Sequence, residues 1–243
     1  MRSDMEILKE IIKNAENIVF FGGAGVSTGS GIPDFRGNGG LYQKETAMED
    51  TPEIILSGFY LKGKPEAFYT YYKKHMVYPK AKPNGAHLAL AKLERAGKLL
   101  AVITQNIDGL HQLAGNRTVY ELHGSVLRNY CTHCGKPYAL SYILDADGVP
   151  YCTDCGAIVR PDVVLYNEGL DGMVFEEAAS AIRDADVLIV GGTSLSVYPA
   201  AYLPQEFQGK HLIILNQTPT PYDEMAELVI REPIEKVLSE VVI

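Results

Sequence analysis

An apolar run, Ile18-Val19-Phe20-Phe21, empties without a break into Gly22, Gly23 and Gly25. A buried strand that ends on glycines can turn tightly and bring its backbone against a ligand with no Cβ in the way. Free N–H groups at such a strand-to-helix turn suit a pyrophosphate. The pattern predicts a βα unit and an α/β fold, with or without a ligand. It misses the strict dinucleotide fingerprint, because its third glycine, Gly29, falls one residue late. The continuation is more restrictive. An ordinary dehydrogenase would run into a helix, a second strand and an acidic residue for the ribose. Here Gly31-Ile32-Pro33-Asp34-Phe35-Arg36-Gly37 intervenes, with a proline, an aromatic ring and a cation. Arg36 offers a fork for a phosphate, and Phe35 offers cover for a planar base.

The same arrangement, apolar run then polar end, returns along the chain. Leu99 to Thr104 reads as a buried strand delivering Gln105-Asn106-Ile107-Asp108, and Thr118 to Leu122 as a strand ending in His123-Gly124. Ala185 to Val190 opens into Gly191-Gly192-Thr193-Ser194, and His211 to Leu215 delivers Asn216-Gln217. Leu228 to Ile230 is a last short strand. Helices are predicted over Met5 to Ala15, Pro65 to Tyr78, from the Asn84 cap to Arg95, over Met173 to Arg183, Val197 to Phe207 and Pro233 to Val242. Polar groups at the carboxyl ends of buried strands are where open α/β sheets take ligands. The expected architecture is a doubly wound parallel sheet, Rossmann-like, over about 1–32, 84–124 and 167–243. A helical insertion at about 33–83 and a cysteine lobe at about 125–166 would form a smaller lobe.

The chain has four cysteines, Cys131, Cys134, Cys152 and Cys155, in two C-x2-C pairs with 17 residues between them. Thiolates so spaced can close a tetrahedral zinc site from two knuckles. Four sulfurs leave no open position, so the expected zinc is structural. In a reducing cytoplasm, the default location for this chain, disulfides are the lesser reading. The opening residues form an amphipathic helix with no apolar signal-peptide core, and no apolar run approaches the ~20 residues that span a bilayer. A formal net charge of -8 argues against a general nucleic-acid binder and would tolerate a basic peptide. Asp145, Asp147 and Asp154 make a basic nucleic-acid zinc ribbon a poor reading of the cysteine lobe.

Taken together, GAGxS, GIPDFRG, TQNIDGLH, ELHGS, the four cysteines and GTSLxVYP resemble the sirtuins, NAD-dependent protein deacylases, from about residue 5 to 240. The resemblance implies site roles. Gly23, Ala24, Gly25 and Thr28 would hold the NAD pyrophosphate and adjoining ribose. Asp34 and Arg36 would belong to the cofactor loop, and Phe35 would shield the ribose carbon once nicotinamide leaves. Ile32 and Asp108, with the Ile107 backbone, would hold the carboxamide. Gln105 and Asn106 would orient the nicotinamide ribose, and Gly192, Thr193, Ser194, Asn216, Gln217 and Ile234 would line the adenosine half.

His123 is the expected base, since it alone among six histidines follows a strand and precedes a glycine at the cofactor mouth. His111 and His133 are the decoys, as a lone histidine is more often a surface or capping residue. The family chemistry needs no protein nucleophile: the acyl-lysine oxygen attacks the ribose carbon, and His123, aided by Asn106, would draw a proton from a ribose hydroxyl. An acetylated peptide would enter as a strand between Val164-Leu165-Tyr166-Asn167-Glu168 and Ser196-Val197-Tyr198. The plainer reading of Val163 to Tyr166 is a core strand linking two lobes. Two residues depart from the family pattern, with Tyr166-Asn167 where Phe-Gly is frequent and Gly29 where a larger residue is common. Desuccinylating relatives place a Tyr and an Arg three apart, whereas Tyr69 here is followed by Tyr72, which favours acetyl or longer neutral acyl groups over succinyl. Protein ADP-ribosyl transfer and a non-catalytic NAD-sensing or zinc-mediated interaction module are the competing readings.

Overall fold

The computed structural model describes residues 2–34 and 50–242. Phe35 and Arg36 lie outside the described residues.

Six strands form one parallel sheet. They are β1 (Ile18–Gly22), β2 (Leu99–Thr104), β3 (Val119–Glu121), β7 (Val187–Gly191), β8 (His211–Leu215) and β9 (Leu228–Ile230), in the spatial order β3-β2-β1-β7-β8-β9. Strand β1 is central, and its run is apolar throughout because both of its faces are covered. Ile18 and Phe20 enter a core shared with helices α1 (Asp4–Asn14), α5 (Gly85–Arg95) and α9 (Ile234–Val241). Val19 and Phe21 enter the opposite core, beneath α8 (Gly172–Arg183). Burying each ring contributes about 1.5–3 kcal/mol relative to leaving it in water. That outweighs any local preference of the two residues.

The chain order reverses across β1 and β7, so their carboxyl ends frame the crevice in which open α/β sheets take ligands. Gly25 donates its N–H to the Gly192 carbonyl at 2.8 Å. A Cβ on Gly25 would sit 2.8 Å from the Gly192 Cα, so side chains there would force the two turns apart. After β1 the chain makes two short 3₁₀ turns, Ala24–Val26 and Thr28–Ser30.

Asn84 caps α5 as its sequence suggests. Its Oδ1 accepts from the Ala86 N–H at 2.9 Å, and its Nδ2 donates to the Val26 carbonyl at 2.8 Å and Ser30 Oγ at 3.0 Å. One carboxamide thus ties α5 to the glycine turn.

A second, three-stranded antiparallel sheet has the order β5-β4-β6, from β4 (Gly124–Cys131), β5 (Pro137–Ala139) and β6 (Val159–Val163). The helices α2 (Pro52–Ile55), α3 (Gly58–Gly63), α4 (Pro65–His75) and α7 (Leu140–Asp145) pack on it. Phe68, Tyr69 and Tyr72 of α4 share one core with Val126, Val159, Cys131 and Cys152.

Three expectations are corrected. Val197 to Phe207 is not an α-helix: a 3₁₀ helix covers Ala200–Glu206, because Pro199 and Pro204 each lack the N–H that an α-helix needs. Helix α4 stops at His75, since Tyr78 precedes Pro79 and such residues avoid the helical region. Strand β7 begins at Val187, two residues late. Asp186 is taken by a turn, where its carboxylate accepts the Glu16 and Asn17 N–H groups at 3.0 and 2.8 Å.

Candidate active site

Strand β2 ends on Thr104, whose hydroxyl accepts the Asn106 N–H at 3.0 Å. That bond turns the Asn106 side chain back toward β1, where its Nδ2 donates to Ser27 Oγ at 3.1 Å. Ser27 in turn donates to Asp108 Oδ2 at 2.7 Å, while Leu110 N–H donates to Oδ1 at 2.9 Å. Ser27 is 1% exposed and Asn106 8%, so this chain of amide, hydroxyl and carboxylate is fixed away from bulk water. Burial raises the Asp108 pKa above the usual carboxylate range, against the pull of its two donors. Ser27 lies within GAGVS, a stretch valued on sequence for its glycines, so the role of its hydroxyl was not foreseen.

His123 leaves the end of β3 partly buried. Its Nδ1 lies 2.9 Å from the Gln105 carbonyl, which can only accept, so Nδ1 carries the proton and Nε2 keeps its lone pair. Burial lowers the His123 pKa, and the Gln105 carbonyl partly offsets this. Gln105 also donates from Nε2 to Thr193 Oγ1 at 3.0 Å, joining the end of β2 to the end of β7. The decoy histidines separate cleanly. His133 is exposed, whereas His111 is 1% exposed and its ring lies tilted 4.7 Å from that of the equally buried His87. Burial pushes the two pKa values down to about 3 and about 4, so both are neutral core rings. His111 is therefore neither a surface nor a capping residue. His87 is a cap, its Nδ1 accepting the Asn84 N–H at 3.3 Å.

The glycine turn is more internally bonded than its sequence suggests. The N–H groups of Gly23, Gly25, Val26 and Ser27 all go to protein carbonyls. Among the described residues, Ala24 N–H has no such acceptor and remains available to an anion. Thr28 Oγ1 donates to the Gly25 carbonyl at 2.9 Å, and Ile32 N–H bonds to Ser27 at 3.3 Å. Beyond β7, Ile234 packs over Gly191, with Ser194 and Ser196 hydroxyls 2.7 Å apart. Asn216 is buried and its Nδ2 bonds to the Thr218 carbonyl at 2.8 Å, while Gln217 is exposed. Arg231, unremarked in the sequence, holds this turn by donating to the Asn216 and Thr218 carbonyls at 2.8 and 3.1 Å.

The expected peptide edge is short. Val164 N–H goes to the His123 carbonyl, Tyr166 pairs with Leu56 and Gly58 through both backbone groups, and Glu168 N–H goes to Leu165. The Val164 carbonyl and the Asn167 backbone make no main-chain bond among the described residues. Asn167 has φ 67°, the left-handed region, which is why Asn can stand where Gly is frequent.

The four cysteine sulfurs lie within 4.8 Å of one another, and Sγ–Sγ separations of 3.4 and 3.6 Å are close to the ~3.8 Å edge of a zinc–thiolate tetrahedron. Backbone N–H groups of His133 and Cys134 reach Cys131 Sγ, and that of Asp154 reaches Cys152 Sγ, each at 3.4 Å. The Tyr138 hydroxyl donates to Cys152 Sγ at 3.2 Å and helps push that thiol down to about 6. Donors aimed at sulfur fit thiolates that hold a cation.

The Sir2 family profile matches residues 23–199. A protein of Clostridium perfringens (strain 13 / Type A), named NAD-dependent protein deacetylase, is 57% identical over 236 residues, covering 97% of both chains. A solved Sir2–p53 peptide–NAD+ complex is similar with a TM-score of 0.86 and 38% identity, over 99% of this chain and 97% of the other. A Sir2 variant with deacetylated p53 peptide and 3'-O-acetyl ADP ribose is similar with a TM-score of 0.89 and 39% identity, over 98% and 96%. No helix among the described residues is long and apolar enough to cross a membrane.

Proposed function

This chain belongs to the Sir2 family, and from that premise we propose how its own residues carry out NAD-dependent protein deacetylation. It is an NAD-dependent protein deacetylase, converting acetyl-lysine protein and NAD to lysine protein, nicotinamide and acetyl-ADP-ribose. NAD supplies the electrophilic ribose carbon and a leaving nicotinamide. His123 Nε2 is the general base that takes a proton from a ribose hydroxyl. The observation that carries this is the bond from His123 Nδ1 to the Gln105 carbonyl at 2.9 Å, which fixes the tautomer a base requires. Asp108 and the Ile107 backbone, with Ile32, hold the carboxamide, while Asn106 orients the ribose from its anchorage on Ser27. Ala24 and the glycine backbone take the pyrophosphate, helped by Arg36 outside the described residues. Thr193, Ser194, Asn216, Gln217 and Ile234 take the adenosine half.

Cys131, Cys134, Cys152 and Cys155 would hold zinc as a cross-link of the small lobe, with no position left for substrate. A cytoplasmic setting fits the same reading, because a reducing compartment keeps cysteines as thiols free to bind a metal. Acetyl and other neutral acyl groups are favoured over succinyl. Tyr72 is buried against Phe68, and the adjacent Lys73 is drawn away to the Ala146 and Gly148 carbonyls at 2.6 and 2.9 Å. Neither supplies a cation for a carboxylate tail.

Incubation with NAD and an acetyl-lysine peptide tests the reading. Nicotinamide release should require both, and mass analysis should find acetyl-ADP-ribose. ADP-ribose attached to protein in its place would favour transferase chemistry.

A further inference from the structure

Arg160, on β6 of the small lobe, reaches forward eight residues and grips Glu168 with both arms of its guanidinium. Nη1 meets Oε1 at 2.7 Å and Nη2 meets Oε2 at 2.8 Å. A surface ion pair of this kind would ordinarily contribute little. This one differs in three respects. Its side chains are only 16% and 28% exposed, it is bidentate, and each partner also binds the backbone lying between them. Arg160 Nη2 donates to the Val163 carbonyl at 2.9 Å, and Glu168 Oε2 accepts the Leu165 N–H at 2.9 Å. The backbone of Gly58 closes the far side, where a Cβ would come within 2.8 Å of Glu168 Oε1.

The segment so enclosed is 163–168, the edge that the proposed function assigns to the incoming peptide. The pair engages the Val163 carbonyl and the Leu165 N–H. The Val164 carbonyl and the Asn167 backbone are left without a main-chain partner among the described residues, and Asn167 is held at φ 67°.

Resting on that assignment of the peptide edge, we propose that Arg160 and Glu168 are positioning residues for the acyl-peptide, and that their pairing sets the backbone groups to which the substrate strand bonds. Neither touches the reacting atoms. The pair acts on peptide affinity and not on NAD, whose proposed contacts lie at the ends of β1, β2, β7 and β8 and at the start of α9.

The test compares Arg160→Gln, Arg160→Lys and the exchange Arg160→Glu/Glu168→Arg with wild type. The readouts are anisotropy of a fluorescent acetyl-lysine peptide, calorimetric titration of NAD, and zinc content. Arg160→Gln should weaken peptide binding by about tenfold or more, as expected for the loss of charge-assisted hydrogen bonds, with NAD affinity within about twofold of wild type. Arg160→Lys, with charge but no fork, should recover part of the loss, whereas the exchange, which sets a carboxylate against the Val163 carbonyl and a guanidinium against the Leu165 N–H, should stay as weak as Arg160→Gln. Unchanged peptide affinity in Arg160→Gln overturns the proposal, as does a parallel loss of NAD affinity. Val197→Asp, on the opposite edge, separates the two ideas. If it weakens the peptide while the Arg160 variants do not, the edge stands and the pair does not position it. If Val197→Asp is also silent, the peptide binds elsewhere and both fail.

Discussion

Ser27→Ala removes one oxygen and should disturb two groups. The hydroxyl donates to Asp108 Oδ2 at 2.7 Å and accepts from Asn106 Nδ2 at 3.1 Å, with Ser27 1% exposed. Losing a hydrogen bond to a carboxylate costs about 1.5–3 kcal/mol, and orphaning a buried amide about 1–3 kcal/mol. The two share one network and do not simply add, so about 2–4 kcal/mol is expected in total. For a domain of this size that is a fall in Tm of roughly 5–15 °C. The pH dependence gives the sharper test. Burial places the folded pKa of Asp108 above its ordinary 3.8, and the Ser27 donor opposes that rise. Such a group contributes its stability below the unfolded pKa and loses it as pH rises through the folded one. Removing the donor raises the folded value further, so the deficit should be larger at neutral pH than at a pH below the unfolded 3.8. Differential scanning calorimetry at both pH values, with NAD titration alongside, reads this directly. A variant melting within about 2 °C of wild type at neutral pH, or with a deficit that ignores pH, would refute the network as described.

His123→Ala should fold, keep its zinc and lose nearly all turnover. In the wild type, burial lowers the His123 pKa, so the neutral base persists into acid and the acid limb of kcat/KM should lie below pH 6.5. A limb above that value contradicts the burial argument. Asn167→Gly should match or exceed wild-type stability, whereas Asn167→Ala should lose about 1 kcal/mol in urea titration, because φ 67° penalises a plain Cβ. Equal midpoints for the two would contradict it. Tyr138→Phe should weaken zinc retention by about tenfold in competition with a chromophoric chelator, by removing the donor to Cys152 Sγ. Unchanged retention would make that contact incidental.

The strands were legible where an apolar run met a polar boundary on both sides. Leu99–Thr104, His211–Leu215 and Leu228–Ile230 coincide with expectation for that reason. Proline chemistry explains where reading failed. Apolar spacing across Val197 to Phe207 suggested a helix, yet Pro199 and Pro204 restrict it to 3₁₀ geometry. Tyr78 before Pro79 similarly shortened α4. In the candidate site, the residues legible in sequence are those that announce themselves by type: His123, Asp108 and the cysteines. Residues that act by holding others are not. Ser27, Arg160 and Arg231 are ordinary polar residues in sequence, and only the folded geometry gives each its partner. The buried pair His87 and His111 shows the converse, since titratable residues next to site motifs prove to be neutral core rings.

Departures from local rules collect at the carboxyl ends of the parallel strands and along the segment behind them. Leu195 is held at φ 53°, a conformation that costs an ordinary residue about 1–2 kcal/mol. Burial of its side chain to 1% exposure offsets this, together with a bond from its N–H to Thr193 Oγ1 at 3.2 Å. The same oxygen accepts Gln105 Nε2 at 3.0 Å. A hydroxyl has two lone pairs and one proton. Both lone pairs of Thr193 are therefore engaged, by the end of β2 and by the strained turn after β7. What remains is the O–H. In the proposed adenosine-side role Thr193 would therefore meet its ligand as a donor, toward an acceptor such as a phosphate or ribose oxygen.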